Sequence, residues 1–216
     1  MLDPKVIIAQ RAAKEIKDGD VVNLGIGLPT MLGDYMAPGI DVTFQAENGI
    51  LGMDKIATPE NRDKDVVNAG GVNVTVRPGA MFFDSATSFG IIRGGHVDVT
   101  VLGALEVDEE GSLASHIIPG KMVPGMGGAM DLVAGARKVI IVTTHTAKGD
   151  SLKILKKCSL PLTAYRKVSM IITELAVIEV TNEGLILREV QKESSVEEVV
   201  AKTGAKLIIP EQVGSF

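Results

Sequence analysis

The sequence has few aromatic residues: phenylalanine, tyrosine and tryptophan make up 3% of its 216 residues, and tryptophan is absent. The core must therefore be aliphatic. With 45% hydrophobic and 23% charged residues, the composition is that of an ordinary globular protein. Cys158 is the only cysteine, so no internal disulfide can form. We predict that residues 1–216 form a single domain.

Several kinds of partner and location are also disfavoured by what the sequence lacks. It has no long run of lysine and arginine and carries a net charge of −5, so nucleic acid and anionic membrane surfaces are poor partners. No apolar run reaches the ~18 residues of a membrane span. The first residues, Met1 to Lys5, do not have the pattern of a signal peptide. We therefore expect a cytoplasmic protein with no nucleic-acid or membrane partner.

Hydrophobic periodicity predicts an α/β fold. Asp3-Pro4 has the pattern of a helix start, and a strand is predicted over 21–24. A glycine turn at 25–30 then leads into a second helix, and a strand follows over 40–45. Strand, glycine turn, helix and strand in this order form a βαβ unit, which indicates a mostly parallel sheet flanked by helices.

The rest of the chain continues this alternation. Residues 139–142 are uninterrupted apolar residues, typical of a strand buried on both faces. Arg77-Pro78-Gly79 is expected to end a strand that starts at Val72. Ser195 and Glu198 have the spacing of a capping box for the last helix. The other predictions are strands at 97–101, 168–173, 176–180 and 185–187, helices at 83–92 and from 129, a polar excursion at 58–65, an acidic turn at 106–111 and an irregular loop at 119–128.

Glu47 is the most prominent candidate for chemistry. It follows a predicted strand and precedes Asn48-Gly49, a pair that favours a tight turn because glycine adopts positive φ freely and asparagine tolerates it. In α/β proteins, ligands bind beyond the ends of such strands. A solvated surface carboxylate is the alternative interpretation of this residue.

A second candidate is the glycine-rich loop at 125–131. Glycines let a ligand approach the backbone, and a helix that starts there points free N–H groups outward. Such a loop can stabilise an anion, including a transient oxyanion. A simple connection made of tight turns is the alternative.

Other site types match less well. Gly25-x-Gly27 followed by Glu47 partly matches a nicotinamide-dinucleotide fingerprint, but Thr30 stands where its third glycine is expected. The three histidines, His96, His116 and His145, lie far apart in sequence, so no metal site is predicted. His145 is interpreted as a hydrogen-bonded structural histidine. Cys158 follows two lysines that could lower its pKa, yet a buried structural thiol is the favoured interpretation.

Long co-linear motifs, from about Ile8 to Leu207, resemble the family I coenzyme A transferases, and most closely the beta subunits of the 3-oxoacid and acetoacetate/butyrate enzymes. The motifs are Glu47-Asn48-Gly49 with Ile50-Leu51-Gly52, Val67-Asn68-Ala69-Gly70, 88–97, 119–132, 156–163 and 172–174. The resemblance implies the layered, NagB-like α/β fold of that family.

The same resemblance implies roles for individual residues. Glu47 would be the nucleophile, and Gly128 would belong to the oxyanion site. Coenzyme A (CoA) is a substrate in this family, and no other cofactor or metal is implied. The residues expected to contact it are Asn48, Gly49, Asn68, Gly70 and Gly127. The implied partner is a different chain, the alpha subunit of the same CoA-transferase, and the implied substrates are acyl-CoA and short-chain carboxylates.

Three positions depart from the family pattern. Ala46 stands where the family usually has serine, Asp54-Lys55 replaces a common Gly-Pro, and Ser115-His116 replaces a common Asn-Trp pair. These departures bear on substrate preference rather than on the chemistry. A non-catalytic domain that senses acyl-CoA or a sugar phosphate on the same fold is the main alternative.

Overall fold

A computed structural model describes residues 2–123 and 125–216. The α-helices are α1 (Pro4–Ala13), α2 (Ser85–Arg93), α3 (Ala129–Gly135) and α4 (Val196–Ala201), and 3-10 helices span Leu28–Tyr35 and Lys148–Asp150. The strands are β1 (Val21–Leu24), β2 (Thr43–Ala46), β3 (Ile50–Ile56), β4 (Val74–Phe82), β5 (Val99–Leu102), β6 (Glu106–Asp108), β7 (Leu113–Ala114), β8 (Lys138–Val142), β9 (Ile154–Leu155), β10 (Met170–Ile172), β11 (Ala176–Thr181), β12 (Gly184–Val190), β13 (Leu207–Ile208) and β14 (Gly214–Ser215).

The main sheet has a parallel centre with antiparallel additions. Its order is β13-β12-β11-β10-β8-β5-β1-β2-β3-β4, and β14 pairs with β12. The five strands β10, β8, β5, β1 and β2 run parallel to one another, as the βαβ pattern predicts. A small second sheet has the order β7-β6-β9.

The two faces of the main sheet are covered by different elements. Ile8 and Ala12 of α1 and Leu32 of the first 3-10 helix pack on one face. Ile92 of α2 and Leu132 of α3 pack on the other. β8 alternates between these two cores and is buried on both sides, as its continuous apolar run predicts. None of the helices among the described residues has the length and apolarity that a membrane crossing requires.

At the β2–β4 end of the sheet, the sequence prediction missed one strand and ended another too early. β3, over Ile50–Ile56, was not predicted, and it forms an antiparallel hairpin with β2 around the Glu47-Asn48-Gly49 turn. β4 was expected to end at Arg77-Pro78-Gly79 but continues to Phe82. β4 is the edge strand, where proline needs no ladder partner for its missing N–H, and register shifts in the β3–β4 pairing absorb the irregularity.

Smaller differences lie elsewhere. The helix predicted after the 25–30 turn is a 3-10 helix, and the acidic segment that starts at Glu106 is strand β6, which pairs with β7 and β9. Within the predicted 119–128 loop, Pro124 lies outside the described residues, as does Met1 at the start of the chain. The described residues of that loop contain no helix or named strand.

Candidate active site

A cleft of about 390 Å³ lies at the carboxyl ends of three neighbouring parallel strands. Glu47 follows β2, Gly25 follows β1 and Gly103 follows β5, and all three residues line the cleft. β1 pairs with β2 on one side and with β5 on the other, so later parallel strands are added on opposite sides of β1, and the strand order reverses there. Such a switch point leaves a crevice beyond the strand ends, where ligands bind in open α/β sheets.

The β2–β3 turn holds Glu47 at the rim of this crevice. The N–H of Gly49 donates to the carbonyl of Ala46 (3.0 Å), and the carbonyl of Gly49 accepts from the N–H of Phe83 (3.0 Å). Gly49 has a φ of +119°, and a Cβ there would lie 2.1 Å from the Phe83 carbonyl oxygen. Only glycine fits this position, so Gly49 is required for the turn that presents Glu47.

The Glu47 carboxylate is half-buried, and among the described residues it has one hydrogen-bond partner. Nδ2 of Asn23 donates to its Oε2 at 3.1 Å. Within the described residues, no lysine or arginine forms an ion pair with Glu47, and its Oε1 accepts no hydrogen bond. The carboxylate is therefore held from one side and left open on the other.

Gly127 and Gly128 line the same cleft as Glu47, and Gly128 lies directly beside it. A Cβ at Gly128 would lie 3.1 Å from Cγ of Glu47 and 3.4 Å from the ring of Phe89. Within the described residues, the N–H groups of Gly127 and Gly128 have no hydrogen-bond acceptor. Backbone N–H donors beside a carboxylate can stabilise an oxyanion that forms when the carboxylate attacks a carbonyl group.

Contacts between α2 and α3 support this arrangement. α3 starts at Ala129, directly after Gly128, and Nε of Arg93 donates to Oδ1 of Asp131 (2.7 Å). The same guanidinium lies 5.7 Å from the centre of the Phe89 ring, which packs beside Gly128. Contacts between the two helices therefore support the start of α3, next to Gly128, from outside the cleft lining.

Another part of the cleft lining is polar. Ser115 and His116 line the cleft, and both bind the hydroxyl of Thr163. Oγ1 of Thr163 lies 2.8 Å from Oγ of Ser115 and 3.0 Å from Nδ1 of His116. These residues mark one of the departures from the family pattern, and the structure places them in the same cleft as Glu47.

The comparison with known protein families shows which family the chain belongs to. The model of the family described as coenzyme A transferase matches residues 5–202. The chain belongs to the coenzyme A transferase family. It is 54% identical to the beta subunit of the acetate CoA-transferase of Escherichia coli K12 over 95% of this chain and 94% of that protein. It is 48% identical to the mitochondrial succinyl-CoA:3-ketoacid coenzyme A transferase 2A of Rattus norvegicus over 94% of this chain and 39% of that protein.

The fold of this transferase matches that of a solved structure. The acyl-CoA transferase YdiF of Escherichia coli O157:H7, as apoenzyme, superposes with a TM-score of 0.80 at 24% identity. The match covers 100% of this chain and 44% of the YdiF chain, so the present chain spans less than half of that protein.

The other residues expected to contact CoA, namely Asn48, Gly49, Asn68 and Gly70, lie outside the cleft lining. Nδ2 of Asn48 donates to the carbonyl of Val67 (2.7 Å), and Oδ1 of Asn68 accepts from the N–H of Gly70 (2.9 Å). Both asparagines therefore hold loops together. A Cβ at Gly70 would lie 3.5 Å from the side chain of Ile26, which lines the cleft. Binding of CoA by these residues stays a prediction.

The sequence predictions did not include the buried polar residues that bind the Glu47 carboxylate or support that contact. Asn23 and Gln45 are fully buried polar residues in strands β1 and β2, and Ser88 of α2 is buried against them. The signal was present in the sequence: Asn23 stands between valine and leucine in a strand whose other residues are apolar. A buried amide needs hydrogen-bond partners, so its position in such a strand indicates a polar network.

Other candidates do not form part of this site. Two larger hollows, of about 730 and 760 Å³, lie elsewhere, and neither contains Glu47 or the glycine loop. Cys158 lines one of them, and burial, Asp108 and Glu106 raise the pKa of its thiol to about 12. The adjacent lysines therefore do not lower this pKa, and the half-buried thiol agrees with the favoured interpretation of Cys158 as a structural residue. Among the described residues, no group of three or more histidine, cysteine, aspartate or glutamate side chains could hold a metal ion.

Proposed function

We propose that this chain is the catalytic subunit of a CoA-transferase that moves CoA between an acyl-CoA and a short-chain or 3-oxo carboxylic acid. The observation that carries the proposal is the half-buried carboxylate of Glu47, which faces the backbone of Gly128 in a cleft at the strand ends. The names of the relatives include acetate and succinyl-CoA:3-ketoacid transferases, which agrees with small carboxylic acids as substrates.

The reaction has two halves that pass through Glu47. The carboxylate attacks the thioester carbonyl, the C–S bond breaks, and an acyl-glutamyl anhydride and a CoA thiolate form. The thiolate then attacks the Glu47 carbonyl, which gives a glutamyl-CoA thioester and releases the first acid. A second carboxylate reverses both steps. Because one thioester replaces another, the exchange is close to thermoneutral and involves no change of oxidation state.

The protein must then supply oxyanion stabilisation and exclude water. The N–H groups of Gly127 and Gly128 are the nearest candidates for donors to the developing oxyanion. Exclusion of water protects both the anhydride and the thioester from hydrolysis. Binding of the long CoA moiety, remote from the reacting carbonyl, can position that carbonyl against Glu47.

We further propose that the chain acts together with a separate alpha subunit. The Escherichia coli K12 relative, which the chain matches nearly end to end, is itself named as a beta subunit. The chain matches only 39% of the rat protein and 44% of the YdiF chain, so each of these longer transferases has room for a second part of similar size. The open cleft of about 390 Å³ is small for a whole CoA molecule, which also favours a second chain that completes the binding site.

Covalent trapping tests the proposal. We expect that incubation of the two-subunit enzyme with acyl-CoA alone leaves CoA attached to the peptide that contains Glu47, as detected by mass spectrometry. Glu47→Ala should abolish both the adduct and the exchange without unfolding the protein. Glu183→Gln is a matched control, because Glu183 is an exposed carboxylate before a glycine in another tight turn, at the β11–β12 end of the sheet.

Two outcomes would contradict the proposal. Substantial exchange by Glu47→Ala would remove Glu47 from the reaction. Binding of acyl-CoA with no covalent adduct and no exchange in the wild type would favour the alternative of a sensing domain, which has no use for a carboxylate at this turn.

A further inference from the structure

A row of buried polar side chains runs beneath Glu47. Asn23 of β1 is paired with Gln45 of β2 on one side and with Thr100 of β5 on the other. Residues paired in this way point to the same face of the sheet, here the face covered by α2 and α3. All three side chains are inaccessible to solvent or nearly so. Burial of this kind is costly unless the polar groups have partners, so their hydrogen bonds carry information about the site.

The hydrogen bonds in this row fix the orientation of the Asn23 side-chain amide. Nδ2 of Asn23 is surrounded by three oxygens: Oε1 of Gln45 (2.8 Å), the carbonyl of Gln45 (3.1 Å) and Oε2 of Glu47 (3.1 Å). Nε2 of Gln45 donates in turn to Oγ of Ser88 at 3.1 Å. A flipped Asn23 amide would place its own oxygen against the Gln45 backbone carbonyl and the Glu47 carboxylate, which can only accept, so the donor must face Glu47.

We propose that Asn23 is a positioning residue for the nucleophile, in addition to the function proposed above, on which this inference rests. Its buried amide, oriented by Gln45 and Ser88, holds Oε2 of Glu47 and leaves Oε1 as the oxygen that attacks. Oε1 then forms the bond to the thioester carbonyl carbon, and CoA leaves as a thiolate when the C–S bond breaks. The negative charge passes from the carboxylate to the thiolate, so charge and atoms balance.

The strand positions explain why this support is rigid. Asn23 lies in the centre of the parallel sheet, on a strand that is paired on both sides, so the position of its amide is fixed by the sheet and not by the surface loops. Glu47 lies on a turn, which by itself would let its side chain sample several rotamers. A small displacement of a reacting group can cost about 10²-fold in rate. We therefore expect that loss of the Asn23 donor slows the reaction more than it weakens substrate binding.

Thr100 provides a matched control in the same row. Its Oγ1 is buried and has no hydrogen-bond partner in the described residues, so it forms no hydrogen bond with Glu47 there. Thr100→Val removes this hydroxyl with almost no change of shape. This variant perturbs the same buried face of the sheet without touching the contact between Asn23 and Glu47.

Kinetics of the two-subunit enzyme test the inference. We expect Asn23→Ser to lower kcat by about 10–10²-fold while KM for acyl-CoA changes by less than about threefold. The formation of the Glu47 adduct in a single turnover should slow by the same factor. Thr100→Val should retain wild-type kcat. An Asn23→Ser variant with wild-type kcat would overturn the inference.

A second measurement does not depend on transferase activity or on the folding of Asn23→Ser. In the full chain with 15N-labelled asparagine, the side-chain NH₂ signal of Asn23 is assigned through its own backbone. We expect this signal to shift, and its protons to exchange faster, in Glu47→Ala but not in Thr100→Val.

The two measurements separate the two claims. If the wild type transfers no CoA but the Asn23 signal responds to Glu47→Ala, the proposed function fails and the contact stands. If the signal does not respond to Glu47→Ala, Asn23 does not hold Glu47, and the inference is overturned whatever the activity.

Discussion

At the scale of single residues, Gly128 leaves little room for a side chain beside Glu47. Its φ of −82° is open to any L-residue, so a substitution introduces no backbone strain. The obstacle is Glu47, whose Cγ would lie 3.1 Å from the new Cβ. We expect Gly128→Ala to lower turnover by about 10²-fold with little change in Tm, because the added methyl group displaces the nucleophile. Gly128→Val should lower it further.

The control for Gly128→Ala is Gly90→Ala. Gly90 lies in α2, is exposed, and a Cβ there would meet nothing within 4 Å. Alanine is favoured over glycine inside a helix by about 1 kcal/mol, so this variant should be slightly more stable and fully active. Near-normal turnover in Gly128→Ala, or a large fall in its Tm, would argue against a role for Gly128 beside the reacting carbonyl.

At the scale of elements, the parallel centre of the sheet and the antiparallel strands β11 and β12 could be predicted, and the antiparallel strand β3 could not. The bounds of β1 agree with the sequence prediction, and β8 differs by one residue, because both are short apolar runs between clear breaks. β3 was missed because its second half, from Asp54 to Ile56, is exposed and does not alternate. It is specified by the Asn48-Gly49 turn and by pairing with β4, a contact distant in sequence.

The candidate site also contains some residues that could be predicted from the sequence and others that could not. Glu47 and the glycine loop could be found from the sequence because each has a local signature, a strand end and a cluster of glycines. Asn23, Gln45 and Ser88 come together only when β1, β2 and α2 are assembled. No local pattern reveals which atoms meet across strands, so the support of the nucleophile had to come from the structure.

His145 connects three elements and makes stability depend on pH. Nδ1 of its buried ring binds the hydroxyl of Thr173 after β10 (2.8 Å), and Nε2 binds that of Thr203 after α4 (3.0 Å), as a structural histidine should. Oγ1 of Thr203 already donates to the carbonyl of Val199, so it accepts from His145 Nε2, and Nδ1 is left as an acceptor. Burial, assisted by Lys202, lowers the pKa of His145 from 6.5 to about 4.

This depressed pKa predicts a loss of stability in mild acid. Between pH 6.5 and about 4 the unfolded chain binds a proton at this position that the folded chain does not, so stability falls as the pH falls through that range. The slope contributed by one such group is at most about 1.4 kcal/mol per pH unit. Urea unfolding from pH 7 to pH 4 measures it.

His145→Gln should remove this contribution and flatten the curve, while the exposed His96→Gln serves as the control. Equal pH slopes in the wild type and in His145→Gln would show that the ring does not couple folding to pH.

At the scale of the whole molecule, exposed apolar side chains lie at the cleft and on elements next to residues that line it or follow the Glu47 turn. Ile26 lines the cleft and is 70% exposed, Phe82 is 59% exposed and is paired with Ile50 beside the Glu47 turn, and Met130 is 48% exposed in the first turn of α3. Exposed apolar side chains of this size, grouped around one site, are typical of a surface that a protein partner covers. We expect this surface to contact the alpha subunit proposed above, across an interface larger than the ~1,200 Å² of a stable complex.

Co-expression with that subunit tests the expectation at the level of assembly and of activity together. Size-exclusion chromatography with light scattering should show a hetero-oligomer that transfers CoA, and the purified single chain should show no transfer between acyl-CoA and acetate or acetoacetate.

Phe82→Glu should weaken assembly and reduce activity in proportion, because a charge would have to be desolvated at the interface. Val200→Glu is the matched control, since Val200 is an exposed apolar residue of α4, an element that contributes nothing to the cleft lining. Full activity of the single chain would refute the two-chain organisation, and normal assembly of Phe82→Glu would place the interface on another face of the molecule.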